Sequence, residues 1–341
     1  MFKKLSLVIV VAMLCACGNA QKNLMHVEAP KDFNGIIFYA KNSGDHGKHF
    51  QLGYANFEEL TPFTIETRSQ VGSVSKFLTT LVVLRLVDQQ KLSLNQPIGT
   101  ILKDLPKQTG QIVTVRHLLS NTSGIPDAVS ANLKKDPSLR KSEADAIASY
   151  AQWSSGDLTF VPGKGWDYSV TNWILIKAII ETVSADNFNN VILKELVEPL
   201  ALKNTGIPAY NFPESVSDAD NYSINNKSNV PSYIPPFAAA SGSFYSSVAD
   251  LRRMMDGIYH GGYLSNERLK ELESVNYADQ HYALGGRVLM KDGRLVLKES
   301  GKTANYRALV IYTPHSGEFK AVLNNTGLDQ GVIEDIAGKL K

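Results

Sequence analysis

Apolar and polar positions alternate near both ends of the chain and recur at three- and four-residue intervals between them. The runs GIIFYAK and HFQLGYAN, separated by a turn rich in Gly, Asn and Asp, predict a β-hairpin. From Ser73 to about residue 239 the spacing is typical of helices, as in NWILIKAIIETV. Strand-like runs return in HYALGGRVLM, RLVLKES, NYRALVIYT and FKAVLNN, and the helix-like GVIEDIAGKLK ends the chain.

This order of elements predicts an α/β fold in which both ends of the chain complete one antiparallel sheet. Two early strands and about four late strands form the sheet, helices flank it, and the long helical stretch forms a mainly helical second lobe. We assign residues 33–80 and 240–341 to the α/β lobe and residues 81–239 to the helical lobe of one domain, 33–341. A cleft between the lobes is the expected position of a site. The polar, proline-flanked stretch 211–236 is predicted to be a surface loop.

The first 17 residues have the layout of an export signal. Two lysines precede an apolar run over residues 5–16, which is too short to span a bilayer. The sequence LCAC at residues 14–17 also resembles the signal of bacterial lipoproteins. This resemblance implies a lipidated Cys17, a polar tether over residues 18–32, and a periplasmic protein anchored to the membrane by lipid. Gly18 favours the outer membrane, and a plain secretory peptide is the alternative reading.

Composition and charge exclude several functional classes. The net charge is +2 with acids and bases interspersed, so no basic stripe indicates nucleic acid as a partner. The hydrophobic fraction of 43% is that of a globular protein. Both cysteines, Cys15 and Cys17, lie in the export segment, so the exported domain has neither a disulfide nor a thiol for catalysis or metal binding. We expect a monomer without metal or cofactor that contacts the membrane only through its lipid anchor.

A Ser-x-x-Lys spacing begins the most apolar of the helical stretches. In QVGSVSKFLTTLVVLRL, Ser73 and Lys76 lie three residues apart and therefore on one face of a helix. A serine is a weak nucleophile until a base takes its proton, and a lysine whose pKa is lowered by burial can be that base. Alternatively, Ser73 only caps the helix while Lys76 extends to solvent. A second copy of the spacing, Ser138 to Lys141, lies in a polar stretch and is predicted to be a solvated face.

Several blocks of the chain, in order, resemble the serine β-lactamase and penicillin-binding-protein superfamily, in its class C-like branch. They are ETRSQVGSVSKFLTTLVVLRL, TVRHLLSNTSGIPD, FVPGKGWDYSVTNWILIKAIIE, ELVEPLALKNTGI, AAASGSFYSSVADLRRM and YALGGRV. The likeness extends from about residue 34 to the end of the chain. It implies a two-lobe fold, a covalent acyl-enzyme on Ser73 with Lys76 as its partner, and a small-molecule or peptidoglycan-type substrate.

The resemblance also assigns a second motif, Tyr-x-Asn, in the helical lobe. Its tyrosine falls on Tyr168, which is expected to pass a proton to the leaving group. Val170 stands where the family has an asparagine that helps to bind a substrate amide, and Asn172 lies two residues further on. This departure weakens the case for peptide or β-lactam specificity.

The family's third motif, Lys-Thr-Gly or His-x-Gly, maps to Glu299, Ser300 and Gly301, with the amide of Lys302 as the second oxyanion donor. Glu299 therefore puts an acid where the family has a cation. In the alternative register, Lys302 and Thr303 form the motif but its glycine is missing, and strand alternation puts Lys302 on the opposite face from Glu299. With Glu299 in the site, we expect neutral acyl esters to be hydrolysed better than anionic β-lactams, because like charges repel.

The sequence predicts a serine hydrolase that acts through an acyl-enzyme on an ester, an amide or a D-amino-acid peptide. The rival hypothesis is a non-catalytic binding protein that retains the penicillin-binding fold. Val170 and Glu299 favour the rival. Ser73, Lys76 and Tyr168 favour the enzyme, because all three residues that the chemistry needs are present.

The first prediction is that Cys17 carries the lipid anchor. Cys17→Ser removes the thiol to which the lipid is attached, so the protein should leave the membrane fraction and lose the lipid mass. Cys15→Ser is the matched control and should stay membrane-bound, since residue 15 is cleaved off with the signal. Cell fractionation and intact-mass analysis measure both properties. Unchanged membrane partition, with no lipid mass on the wild type, would show that the export segment is not a lipoprotein signal.

Overall fold

The computed structural model describes residues 27–142, 145–207, 218–223, 226–229 and 234–341. The export segment 1–17, with its expected lipidation site Cys17, and the tether up to residue 26 lie outside these residues. Within the described ranges, no helix combines the length and apolar character that crossing a membrane requires.

Twelve strands are present in the described residues, and six of them form the central sheet. In chain order the strands are β1 (Gly35–Ala40), β2 (Lys48–Leu52), β3 (Tyr54–Asn56), β4 (Thr61–Pro62), β5 (Ser69–Gln70), β6 (Tyr222–Ser223), β7 (Asn226–Asn229), β8 (Tyr245–Ser246), β9 (Arg287–Lys291), β10 (Arg294–Thr303), β11 (Tyr306–Thr313) and β12 (Glu318–Asn324). The central sheet has the order β2-β1-β12-β11-β10-β9, and every neighbouring pair is antiparallel. The prediction of one antiparallel sheet completed by both ends of the chain is confirmed.

Helices lie on both sides of this sheet and fill the middle of the chain. They are α1 (Val74–Asp88), α2 (Lys107–Ile112), α3 (Val115–Leu119), α4 (Ala128–Lys135), α5 (Ala146–Trp153), α6 (Val170–Ser184), α7 (Phe188–Ile192), α8 (Ala239–Gly242), α9 (Val248–Tyr259), α10 (Asn266–Glu273) and α11 (Gln330–Gly338). Short 3₁₀ turns lie at Ile98–Thr100, Pro137–Lys141, Pro236–Ala238 and Ala278–Gln280, and a π turn lies at Leu193–Val197.

Both faces of the sheet are covered, which explains the continuous apolar run in β1. Ile36 and Phe38 point into the main core, which also contains most of the apolar side chains of α1. Ile37 points the other way, into a smaller core with Ile333 and Ile336 of α11. Successive residues of a strand face opposite sides of a sheet, so a strand between two helical layers has no polar face.

Helix α1 is buried around nearly its whole circumference, and several of its buried polar side chains bond to α8, to the residues that follow it, or within the helix. Ser75 Oγ accepts the backbone N–H of Phe244 at 3.1 Å, and Thr79 Oγ1 donates to the carbonyl oxygen of Ala240 at 3.0 Å. The hydroxyl of Thr80 bonds back to the carbonyl of Lys76 within the helix. A helix with no solvent face needs such partners for every polar group. The position of α1 is therefore fixed by polar contacts as well as by packing.

The prediction of a surface loop over residues 211–236 is wrong for residues 218–223. Tyr222 is fully buried, and its backbone N–H donates to the carbonyl of Asn325 at 2.8 Å. The Asn325 amide in turn donates to the carbonyl of Asp220, and the hydroxyl of Tyr306 donates to the carbonyl of Ala219. The polar sequence of this segment is compatible with burial because its backbone groups find partners at the end of the sheet.

Candidate active site

Ser73 lies at the N-terminus of α1, where the chain enters the helix from the edge of the sheet. Its backbone angles, φ −64° and ψ −9°, are already helical, and its side chain makes no capping hydrogen bond. A helix cap requires the side-chain oxygen to accept an N–H of the first turn. The structure therefore contradicts the alternative in which Ser73 serves only as a cap.

Lys76 is buried one turn further along α1, directly beside this serine. Its Nζ lies 3.3 Å from Ser73 Oγ and donates a hydrogen bond of 2.7 Å to the carbonyl oxygen of Ser241 in α8. Only 2% of Lys76 is exposed, so the alternative in which it extends to solvent is wrong. The amine is held in one position by the packing of α1 against α8.

Tyr168 approaches the same pair from the loop that precedes α6. Lys76 Nζ lies 4.8 Å from the centroid of the Tyr168 ring and 5.9 Å from that of Trp173. Tyr168 is 39% exposed and lines the same cavity as Ser73. The structure thus brings the three predicted catalytic residues together from two separate segments of the chain.

Val170 and Asn172 lie behind Tyr168 and do not line the cavity. The Asn172 amide is buried, donates to Asn121 Oδ1 at 3.1 Å and accepts the Ser123 hydroxyl at 2.6 Å. These bonds hold the start of α6 against the loop after α3. The structure gives Asn172 a positioning role, and it places no amide at the position where the family's second motif has one.

The third motif lies on an edge of β10 that runs past Ser73. Pairing with β9 ends at Lys298, whereas pairing with β11 continues to Thr303. A Cβ on Gly301 would overlap the carbonyl oxygen of Val71 and lie 3.1 Å from the backbone nitrogen of Ser73. A Cβ on Gly72 would lie 2.7 Å from the backbone nitrogen of Lys302. The strand and the nucleophile segment touch backbone to backbone, and only glycine allows this distance.

The predicted register of the third motif agrees with the cavity lining. Glu299, Ser300, Gly301 and Lys302 all line the cavity, and Thr303 at the end of β10 does not. Glu299 and Gly301 are buried while Lys302 is exposed, as alternation along the strand requires.

Glu299 is buried, which changes what its carboxyl contributes to the cavity. Its carboxyl is buried against Gly286, where a Cβ would overlap Glu299 Oε1. Burial raises the pKa of the Glu299 carboxyl well above its ordinary range, and the charge and backbone N–H of Arg287 oppose this shift only in part. A carboxyl that keeps its proton to higher pH repels an anion less than we expected from the sequence.

The cavity has a volume of about 450 Å³ and contains residues that the sequence reasoning missed. Trp166 and Tyr282 join Tyr168 in an aromatic wall, with ring centroids 5.5 to 6.4 Å apart. Arg287 and Gln330 also line the cavity. Trp166 and Tyr282 both lie inside blocks that carry the family resemblance, GKGWDY and YALGGRV. Their position in those blocks could have identified them from the sequence as candidate site residues.

The burial of Glu299 predicts a dependence of stability on pH. The pKa is higher in the folded than in the unfolded state, so the wild type loses stability as pH rises from about 4.3 to the folded pKa. Glu299→Gln has no such proton, and its unfolding free energy should therefore gain on the wild type by about 1.4 kcal/mol per pH unit in this window. Urea unfolding between pH 4 and 8 measures the difference. The exposed control Glu58→Gln should show no such gain. A difference between Glu299→Gln and the wild type that does not change with pH would contradict the raised pKa of Glu299.

The backbone contact at Gly301 predicts a second effect. Gly301→Ala puts a methyl group into the carbonyl of Val71, and the strand must separate from α1 at a cost of about 3 kcal/mol. Gly338→Ala is the matched control, because nothing lies within 4 Å of a Cβ at the end of α11. Thermal unfolding should show a large loss for the first variant and none for the second. Equal melting temperatures for wild type and Gly301→Ala would mean that the contact is not close.

The chain is similar to known proteins of two kinds, a penicillin-binding protein and an esterase. The chain is 26% identical to Penicillin-binding protein 4* of Bacillus subtilis over 83% of its own length and 66% of that protein. It is 27% identical to Esterase EstB of Burkholderia gladioli over 45% of its length and 42% of that protein. The chain thus spans less than two thirds of either relative.

A solved structure and a family profile extend the comparison to most of the chain. The structure of a penicillin-binding protein from Bacillus halodurans matches 90% of this chain and 95% of its own, with a TM-score of 0.77 at 22% identity, which shows the fold. The family profile described as Beta-lactamase matches residues 36–335. Together with the contact between Ser73 and the buried Lys76, this match over most of the sequence shows that the chain belongs to the Beta-lactamase family of serine hydrolases.

Proposed function

We propose that this protein hydrolyses an ester or an amide through a covalent acyl-enzyme on Ser73. The observation that carries the proposal is the contact of 3.3 Å between Lys76 Nζ and the hydroxyl of a serine that caps no helix. A nucleophile needs a base within hydrogen-bonding distance, and this pair meets that condition inside one cavity.

The acylation step follows from the positions of the side chains. Lys76 takes the proton from Ser73 Oγ while Oγ attacks the carbonyl carbon of the substrate. The backbone N–H groups of Ser73 and Lys302, which meet where β10 touches α1, are assigned to the developing oxyanion. Tyr168, whose ring centroid lies 4.8 Å from Lys76 Nζ, then gives a proton to the leaving group, and the proton taken up by Lys76 restores the Tyr168 hydroxyl.

Deacylation uses the same side chains, with water as the nucleophile and Ser73 Oγ as the leaving group. A water molecule attacks the acyl carbon, loses its proton to the cluster of Lys76 and Tyr168, and releases the acid as Ser73 Oγ regains a proton. The cavity opens to solvent beside Tyr168, so water has access to the ester bond. The chemistry requires only groups of this chain.

The substrate class is proposed from the cavity and from similar proteins. The aromatic wall of Trp166, Tyr168 and Tyr282 suits an apolar or planar group of the substrate. Similar proteins include a penicillin-binding protein and an esterase, so a small ester, an amide and a D-amino-acid peptide of peptidoglycan type all remain within the proposal. Because of the sequence of its export segment, we propose that the protein lies in the periplasm and is anchored to the membrane by lipid. We also propose that it is a monomer.

A second candidate is a binding protein that has lost catalysis. Val170 in place of the motif asparagine favours this candidate, because the cavity then has no amide at the second motif. The burial of Lys76 argues for the enzyme. A buried amine costs free energy, and a protein that only binds its ligand has no use for it beside Ser73.

The decisive experiment is intact-mass analysis after exposure to a fluorophosphonate and, separately, to a penicillin. We expect a single fluorophosphonate adduct, mapped to Ser73 and absent from Ser73→Ala. Ser138→Ala is the matched control and should be labelled like the wild type, because Ser138 is exposed and its hydroxyl bonds to Asp136. Label on Ser138, or full labelling of Ser73→Ala, would overturn the assignment. A wild type that takes up neither reagent, but binds a p-nitrophenyl ester without cleaving it, would favour the binding protein.

A further inference from the structure

Tyr168 depends on its backbone for its position in the cavity. The residue is 39% exposed, and the described contacts of its side chain are with the rings of Trp166 and Tyr282 and with Lys76 Nζ. It lies in the loop just before α6, whose first helical residue is Val170. The Tyr168 hydroxyl can therefore face one point of the cavity only if the backbone on both sides of the residue is held.

The carboxylate of Asp127 holds the backbone that follows Tyr168. Its Oδ2 accepts the backbone N–H of Val170 at 2.9 Å, and its Oδ1 accepts the hydroxyl of Thr171 at 3.1 Å. The first N–H groups of a helix have no partner within the helix, so they need an acceptor from elsewhere. A carboxylate is a strong acceptor and also suits the positive end of the helix dipole.

The same carboxylate caps α4. Its Oδ1 accepts the backbone N–H of Ser130 at 3.4 Å, and its Oδ2 accepts the hydroxyl of Ser130 at 3.0 Å. Capping alone does not require an aspartate, because serine or asparagine caps a helix equally well. Two acceptor oxygens are needed to serve the donors of both helices, and an aspartate has two, whereas an asparagine has one. Asp127 thus joins two segments that lie 43 residues apart in the chain.

The backbone that precedes Tyr168 is held from another loop. The N–H of Asp167 donates to the carbonyl oxygen of Asn121 at 3.0 Å. The side chain of Asn121 also accepts the Asn172 amide at 3.1 Å, so the same residue contacts both sides of the tyrosine. Tyr168 therefore lies between two anchored positions, residues 167 and 170, and Asp127 provides the second anchor.

We infer that Asp127 is a positioning residue for the departure of the leaving group, because it fixes the start of α6 and with it the Tyr168 hydroxyl. The inference deepens the proposed hydrolase function and rests on it. As the bond between the acyl carbon and the leaving oxygen breaks, the proton of Tyr168 moves to that oxygen and the alcohol departs. Asp127 is not part of the cavity lining, so it acts on this step through Tyr168.

Two esters with the same acyl group test the inference. p-Nitrophenyl butyrate releases a stable phenolate that needs no proton, whereas trifluoroethyl butyrate releases an alkoxide that does. Both give the same butyryl-enzyme on Ser73, so they differ only in acylation. Asp127→Asn should lower kcat/KM for the trifluoroethyl ester by about tenfold or more, and that for the p-nitrophenyl ester by less than about threefold.

Three variants separate positioning from helix capping. Asp127→Ser keeps a cap for α4 but is too short to bond to α6, so it should show the same selective loss and decides the matter if Asp127→Asn folds poorly. Ser130→Ala removes only a partner on the α4 side and should behave like the wild type. Asp145→Asn is the matched control, because Asp145 caps α5 through the N–H of Ala148. It should leave the ratio of the two esters unchanged.

A double-mutant cycle with Tyr168→Phe connects the effect to the tyrosine. Tyr168→Phe should slow the trifluoroethyl ester by about a hundredfold, and the addition of Asp127→Asn should not change the ratio of the two esters further. The inference is overturned if Asp127→Asn slows both esters equally, or if it keeps its full selective effect without the tyrosine hydroxyl. It is also overturned if Ser130→Ala or Asp145→Asn shows the same selective loss.

Hydrogen exchange keeps this inference separate from the proposed catalysis. The Val170 amide should be protected in the wild type and in Ser130→Ala, and it should exchange about tenfold faster in Asp127→Ser, as measured by NMR. If the wild type hydrolyses neither ester, the catalytic proposal fails, yet this pattern still supports Asp127 as the anchor of the Tyr168 segment. Fast exchange of the Val170 amide in the wild type, or equal exchange in Asp127→Ser, would refute the anchor whatever the activity.

Discussion

The burial of one amine in the first turn of α1 is the constraint on which the rest of the site depends. Lys76 reaches no solvent, so the carbonyl of Ser241 and the hydroxyl of Ser73 are its polar neighbours in the described chain. This requires α8 to pack against α1 and Tyr168 to cover the amine from the other side. A buried polar group without hydrogen-bond partners costs free energy, so the two segments that meet here are coupled to the stability of the fold.

Glycine contacts position the sheet relative to this amine. At Gly301 the strand β10 touches the segment before Ser73, and at Gly72 that segment touches the backbone of Lys302. Gly301 makes room for the main chain of Val71, and Gly72 makes room for that of Lys302. The two backbone nitrogens assigned to the oxyanion, those of Ser73 and Lys302, come from the two sides of this contact. The geometry of the proposed chemistry is thus set by main-chain packing between α1 and β10, which side-chain substitutions elsewhere disturb little.

Charge in the cavity follows from burial as much as from residue type. Glu299 replaces a cation of the family's motif, but it lies over Gly286 and beside the backbone of Arg287, where ionisation is disfavoured. Arg287 lines the cavity from the adjacent strand, and its guanidinium carbon lies 5.6 Å from the centroid of the Tyr282 ring. Neighbouring strands of a sheet place side chains within a few ångströms of each other, so β9 and β10 contribute charged residues to the same cavity.

The sequence by itself determined the sheet, because the alternation of apolar and polar residues and the turn residues act over a few positions. It also singled out Ser73 and Lys76, because their Ser-x-x-Lys spacing begins an apolar helix, whereas the same spacing at Ser138 lies in a polar stretch. Only the tertiary structure decided what surrounds the other residues. It put Asn172 in a buried network with Asn121 and Ser123, and it buried the segment 218–223 against the sheet. Burial and charge state depend on contacts between residues far apart in the chain, which local patterns do not encode.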